Sequence, residues 1–210
     1  MNIRKLIFST CCLFLSLSSF AQIPIAYYDF EDNSNRNTSV ETSVETAIST
    51  IGSPTITINT LTSSHNTGNG LNYGGSNTGF ALGYYGFSTS ATSAATLPNI
   101  QFGPFDCTGL STISLTADFK GIGAKMPNNV RIYWSNDNIT YTLINVVTAI
   151  TSSFSTETFA LSTGANNSSS VYIRIVGYNA GASPTSTDGV LQIDNFTLRA
   201  TTITTSTNLF

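Results

Sequence analysis

From Ser111 to Lys120 the chain alternates. Ile113, Leu115, Ala117 and Phe119 fall on one side, and Ser114, Thr116, Asp118 and Lys120 on the other. A period of two is that of a strand with one buried and one wet face. The same reading puts Val130, Ile132 and Trp134 on one side of a strand Val130–Ser135, with Arg131, Tyr133 and Ser135 opposite. In Val171–Tyr178, Val171, Ile173 and Ile175 face one way and Tyr172, Arg174, Val176 and Tyr178 the other. Further strands are expected at Ile25–Phe30, Thr55–Leu61 (with Ile56 and Ile58 on one face), Gln101–Asp106, Ile139–Val147, Thr156–Leu161 and Val190–Ala200. The turn Asn136-Asp137-Asn138 joins Val130–Ser135 to Ile139–Val147 as a hairpin. Val40, Val44, Ala47, Ile48 and Ile51 carry the chain's one helical spacing, enough for a short helix. His65–Gly86 holds seven glycines among Asn, Ser and Tyr and reads as a long surface loop. Eight to ten short strands with frequent turn signals predict a single all-β sandwich.

The first 21 residues have a different pattern. Arg4 and Lys5 precede a 15-residue apolar stretch, Leu6 to Phe20, which ends at Ser19-Phe20-Ala21. A short basic region, an apolar run and a small-residue site mark a secretory signal peptide, with cleavage expected after Ala21. The run falls short of the about 20 apolar residues of a membrane span, and no second such run follows. The organisation expected is a signal peptide at 1–21, one sandwich domain at 22–200 and a Thr-rich tail or truncated linker at 201–210. The exported chain is expected outside the cell or at its surface, with no membrane span after cleavage.

Composition narrows the function classes. Only 9 % of residues are charged, against about 25 % in an ordinary soluble domain. Thr, Ser and Asn fill the gap. Without its leader the chain carries six basic and eleven acidic residues, a net charge of −5. Such a chain lacks the basic face a nucleic-acid binder needs. Cys107 is then its one cysteine, so no internal disulfide forms and the core must hold the fold. A buried, inert thiol is the expectation there.

Three segments carry a resemblance. Tyr28-Asp29-Phe30-Glu31-Asp32 near the start and Ile193-Asp194-Asn195-Phe196-Thr197-Leu198 near the end resemble the two ends of bacterial jelly-roll modules. These include carbohydrate-binding and cell-surface domains. Ile132 to Tyr141 is similar to their "YSxDGxxF" hairpin, with Asn138 where Gly is usual. Asn tolerates positive φ, so the turn survives the change. The leader ending Phe20-Ala21-Gln22 is similar to those of exported Bacteroidetes proteins. The resemblance implies a jelly-roll β-sandwich over roughly residues 25–200, of a kind that sits within larger surface proteins or enzymes. The chain is expected to be a truncated or single-module member.

The resemblance also implies a structural Ca²⁺ held by the Glu of the first strand and the Asp of the last, here Glu31 and Asp194, with Asp29 on the face of Glu31. A hard cation takes carboxylate and carbonyl oxygens, and backbone carbonyls would complete so small a set. The alternative is that these acids are solvated at edges or cap turns.

A second candidate site is the polar side of the strands. If the aliphatic sides face the core, the opposite face carries Arg131, Tyr133, Tyr172, Arg174 and Tyr178, with Asp118 and Lys120, and Tyr73, Tyr84 and Tyr85 at its rim. Tyrosines beside charged donors combine an apolar body with hydrogen-bonding tips, the chemistry a sugar face needs. The same residues also serve as ordinary cross-strand pairs. Trp134, on the aliphatic side, reads as core.

Catalysis has little to build on. His65 is the single histidine and no nucleophile-elbow context accompanies it. Zinc lacks a second His or Cys ligand. Glu31, Glu41, Glu45 and Glu157 show no spacing that singles out a glycosidase pair. The reading is an exported, non-catalytic recognition or adhesion module whose partner is an extracellular glycan or surface protein. A structural spacer or accessory domain is the first alternative, and a polysaccharide-active enzyme the second.

Overall fold

The computed structural model describes residues 22–28, 30, 54–59, 63–72, 76–84, 99–178 and 189–203, with the side chains of 58–59, 63–72, 76–80 and 84 outside that description. The expected signal peptide, the short helix at Val40–Ile51, Asp29, Glu31, Tyr73 and Tyr85 all lie outside it, as does most of the Thr-rich tail.

Eleven strands are described: β1 Ile23–Tyr28, β2 Thr55–Asn59, β3 Ser63–Asn72, β4 Ser76–Tyr84, β5 Asn99–Phe105, β6 Leu110–Ile122, β7 Asn129–Ser135, β8 Thr142–Thr148, β9 Ser155–Ala160, β10 Val171–Tyr178 and β11 Val190–Thr202. Nine match the strands read from alternation. β3 and β4 are the correction, because the Gly-rich stretch expected as a loop is an antiparallel pair. β4 is held by pairing Leu82, Gly83 and Tyr84 with Ile193, Gln192 and Leu191 of β11. Backbone hydrogen bonds to a long neighbour keep glycines in a ladder that their own propensity disfavours.

The strands form two antiparallel sheets. One runs β3-β4-β11-β6-β9, with β1 also on β11, and the other runs β2-β5-β10-β7-β8. β11 is long enough to take two partners on one edge. Its first half pairs with β4 and its second half, Phe196 to Ala200, with β1, while β6 runs along its other side. The change of partner coincides with a register break between Asp194 and Thr197 and with Asn195 at φ 48°.

Both sheets turn their aliphatic faces inward. Ile113, Leu115, Ala117 and Phe119 of β6 meet Val130, Ile132, Trp134, Val171, Ile173 and Ile175 in one core, as the alternation predicts. Phe102 of β5 and Phe196 of β11 stack between the sheets with ring centroids 3.9 Å apart, and Tyr28 sets its edge against both. Cys107 is buried in this core and free, and burial beside Asp106 pushes its thiol up to about 12.

Candidate functional site

The outer face of the five-stranded sheet is set by register. Arg174 of β10 lies opposite Tyr133 of β7 on one side and Gln101 of β5 on the other. Tyr172 lies opposite Ser135, and Val176 opposite Arg131. The five residues read as a ligand face, Arg131, Tyr133, Tyr172, Arg174 and Tyr178, thus belong to adjacent strands of one sheet. Asp118 and Lys120 do not join them. They lie on β6 of the other sheet, whose outer face points the opposite way, and Tyr84 lies on β4 of that sheet too. Periodicity assigns a residue to a side of its strand, but not its strand to a sheet.

Two arginine–tyrosine pairs occupy the face. The guanidinium carbon of Arg174 lies 3.8 Å from the ring centroid of Tyr141, and that of Arg131 lies 5.8 Å from the ring of Tyr178. Arg174 Nε donates to Gln101 Oε1 at 2.9 Å. The Tyr141 hydroxyl lies 2.8 Å from the same oxygen and 2.6 Å from Asn138 Oδ1. Burial raises the Tyr141 phenol above its ordinary value, and the charge of Arg174 opposes that rise in part. Tyr141 also packs with Tyr133 and Val176 in a small apolar cluster outside the main core. Tyr133 is 7 % exposed as a result, so Tyr172 and Arg174 are the more open members of the central rows.

Tyr141 and Gln101 are the functional candidates that alternation missed. Tyr141 ends the hairpin motif Ile132 to Tyr141, and that turn is what folds it back. Asp137 Oδ1 accepts from the backbone N–H groups of Ile139 and Thr140 at 2.8 and 2.7 Å and from Ser135 Oγ at 2.8 Å. These donors lower its carboxyl to about 2. Asn138 takes φ 59°, the conformation expected where Gly is usual. The turn leaves Ile139 at 80 % exposure at its tip and Leu143 exposed on β8.

Of the acids assigned to Ca²⁺, Asp194 is described. It is 0 % exposed on β11, directly opposite Asp118 of β6. Asp118 takes the Thr156 hydroxyl at 2.5 Å and Asn195 Nδ2 at 2.8 Å, and the Asn195 N–H donates to Asp194 Oδ1 at 2.8 Å. Two buried carboxylates in one cross-strand pair favour a nearby positive charge. Among the described residues, however, no three His, Cys, Asp or Glu side chains converge as a metal would require. The described donor set does not by itself make a Ca²⁺ shell.

No protein-family model matches the chain, and no curated protein matches it. Among solved structures, it is similar to the N-terminal CBM22-1-CBM22-2 tandem domain of Xyn10C from Paenibacillus barcinonensis, with a TM-score of 0.56 and 12 % identity over 92 % of this chain. The match spans 49 % of that chain, about half its length. A TM-score of 0.47 and 11 % identity relate it to the K3 cleaved adhesin domain of Lys-gingipain from Porphyromonas gingivalis, over 85 % of this chain and 99 % of that one. The mannan-recognising carbohydrate-binding module TmCBM27 aligns at a TM-score of 0.45 and 13 % identity, over 87 % and 99 % of the two chains. At such identities the likeness is one of fold. The chain is an all-β sandwich of two antiparallel sheets that resembles carbohydrate-binding modules in architecture.

Proposed function

We propose that this chain is an exported, non-catalytic recognition module that binds a neutral extracellular glycan on the outer face of its five-stranded sheet. The observation that carries the reading is the Gln101–Arg174–Tyr141 arrangement, flanked on β10 by Tyr172. It offers a guanidinium fixed by a ring and an amide, beside an aromatic side chain, on one face of a sheet. Fixed donors lose little freedom when a hydroxyl arrives, and an aromatic ring gives the apolar face of a sugar a surface to cover. The likeness in fold to carbohydrate-binding modules supports the same reading. A structural Ca²⁺ on Asp194, with Glu31 and Asp29 as the co-ligands that the sequence resemblance implies, belongs to this proposal. Calorimetric titration of Ca²⁺ into chelator-treated protein tests it, and an unchanged melting temperature counts against it.

A glycan array followed by calorimetry tests the sugar face. Binding to at least one glycan, reduced at least tenfold by Tyr172→Ala and by Arg174→Ala, is the expected result. The second reading is a spacer or accessory domain, favoured by the low exposure of Tyr133 and by the bonds Arg174 already makes within the chain. Absence of binding to every glycan supports that reading.

A further inference from the structure

The two sheets end side by side in β8 and β9, and among the described strands each of these pairs with a single neighbour, β7 and β6 respectively. An open edge invites a further strand, and proteins blunt such edges with charges, prolines or bulges. β9 places Glu157 opposite the core residue Ala117, so a carboxylate points inward along that edge. β8, Thr142 to Thr148, holds no charge and no proline. Its guard is of another kind. Ala149 N–H donates to Asn128 O at 2.9 Å, the bond that flanks the Asn129–Thr148 pair. Antiparallel ladder bonds fall on every second residue, so Val147 and Asn145 bond to β7 while the N–H and C=O of Val146 face the open edge. Asn145 Oδ1 accepts that outward N–H at 2.7 Å. Beside it the register slips, with Asn145 opposite Ile132 but Leu143 opposite Tyr133, which leaves Ile144 as a bulged residue.

We propose that β8 is a docking edge for β8 of a second copy of this chain, and that the Asn145 side chain holds that edge closed. A residue facing an antiparallel neighbour gives one bond and takes one. With its N–H held by Asn145, Val146 has only its carbonyl to offer, and a strand laid along the edge finds the donor occupied. Asn145 is itself exposed, so rotation of one side chain opens the edge. A second copy is the partner that fits. Two β8 strands in antiparallel order set Thr, Leu, Ile, Asn and Val against one another with no charge to repel, and a two-fold axis lets each copy present the same edge. A charged peptide would find no counter-charge on β8. Leu143, 46 % exposed beside this edge, gives two copies apolar surface to cover.

The test is sedimentation equilibrium of the folded protein and its variants across a concentration series. Asn145→Val removes the acceptor and should dimerise about tenfold more tightly than the parent or better, since a symmetric pair frees two donors. Asn145→Asp keeps an acceptor for the Val146 N–H and adds a charge, so it should associate no more than the parent. Val146→Pro added to Asn145→Val deletes the outward N–H while leaving the β7 ladder whole, and should return the protein to the parent's state. Asn145→Ala, which loses the acceptor without a branched side chain, replaces Asn145→Val if that variant does not fold. An acceptor-free variant that folds and associates no more tightly than the parent overturns the proposal. Association that survives Val146→Pro also overturns it, because the contact would then rest on exposed side chains such as Leu143 and not on the strand edge.

Discussion

The ring of Tyr141 and the guanidinium of Arg174 are 3.8 Å apart, and both groups reach a single oxygen, Gln101 Oε1. Two strands, β5 and β10, and the turn between β7 and β8 are tied together there on the outside of the sandwich. This polar knot covers Tyr133 and Val176 and holds Arg174 in place.

Removing the hydroxyl should loosen that knot modestly. Tyr141→Phe is expected to cost about 0.5–1.5 kcal/mol, the net worth of an ordinary hydrogen bond. Tyr141→Ala also uncovers the small cluster and removes the ring from Arg174, for about 1–3 kcal/mol. Urea unfolding curves measure both; equal stability of the three proteins would show that the knot contributes nothing.

The same phenol gives an alkaline signature. Its folded value is raised above the ordinary 10.0, chiefly by burial, so folding favours the protonated form. That contribution is complete below the unfolded value and is lost as pH rises through the folded one. Above pH 10 the parent protein should therefore lose melting temperature more steeply than Tyr141→Phe.

Asp137 acts at the other end of the scale. Its carboxyl is lowered from 3.8 to about 2 by the N–H groups of Ile139 and Thr140, so folding favours the ionised form. The contribution is present above 3.8 and is lost as pH falls toward 2. A melting-temperature series from pH 5 to 2 should fall more steeply for the parent than for Asp137→Asn. Parallel curves would separate the turn from acid stability.

Cys107 should resist alkylation while the protein is folded. With the thiol raised to about 12, roughly one molecule in 10⁴ is a thiolate at pH 8, and the sulfur is enclosed as well. Iodoacetamide labelling followed by mass spectrometry should show little modification until denaturant unfolds the chain. Rapid native labelling would contradict the burial.

Phe196→Ala should be the most damaging of these substitutions, at about 3–5 kcal/mol, the range for a fully buried aromatic truncated to Ala. Phe196 stacks on Phe102 across the two sheets and also meets Tyr28 and Phe105. Equilibrium unfolding gives the value, and a loss below 1 kcal/mol would mean that the core closes over the gap.

Much of this architecture is legible in the sequence. Alternation points Ile113, Leu115, Ala117, Phe119, Val130, Ile132, Trp134, Val171, Ile173 and Ile175 toward the core, and all of them lie there. It could not separate Asp118 and Lys120 from the Arg174 face, because sheet membership depends on pairings distant in sequence. β3 and β4 escape because backbone pairing, of β4 with β11 and of β3 with β4, holds them rather than an alternation of apolar side chains. Tyr141 was visible as the end of a hairpin motif, but its return onto Arg174 depends on the turn around Asp137.

β11 comes after every other described strand, yet it lies between β4 and β1 on one edge and β6 on the other. A nascent chain thus carries three strands with open edges until Val190–Thr202 is made. The six-stranded sheet therefore closes only once β11 is available, so a chain cut before Val190 would leave β1, β4 and β6 without the partner they share.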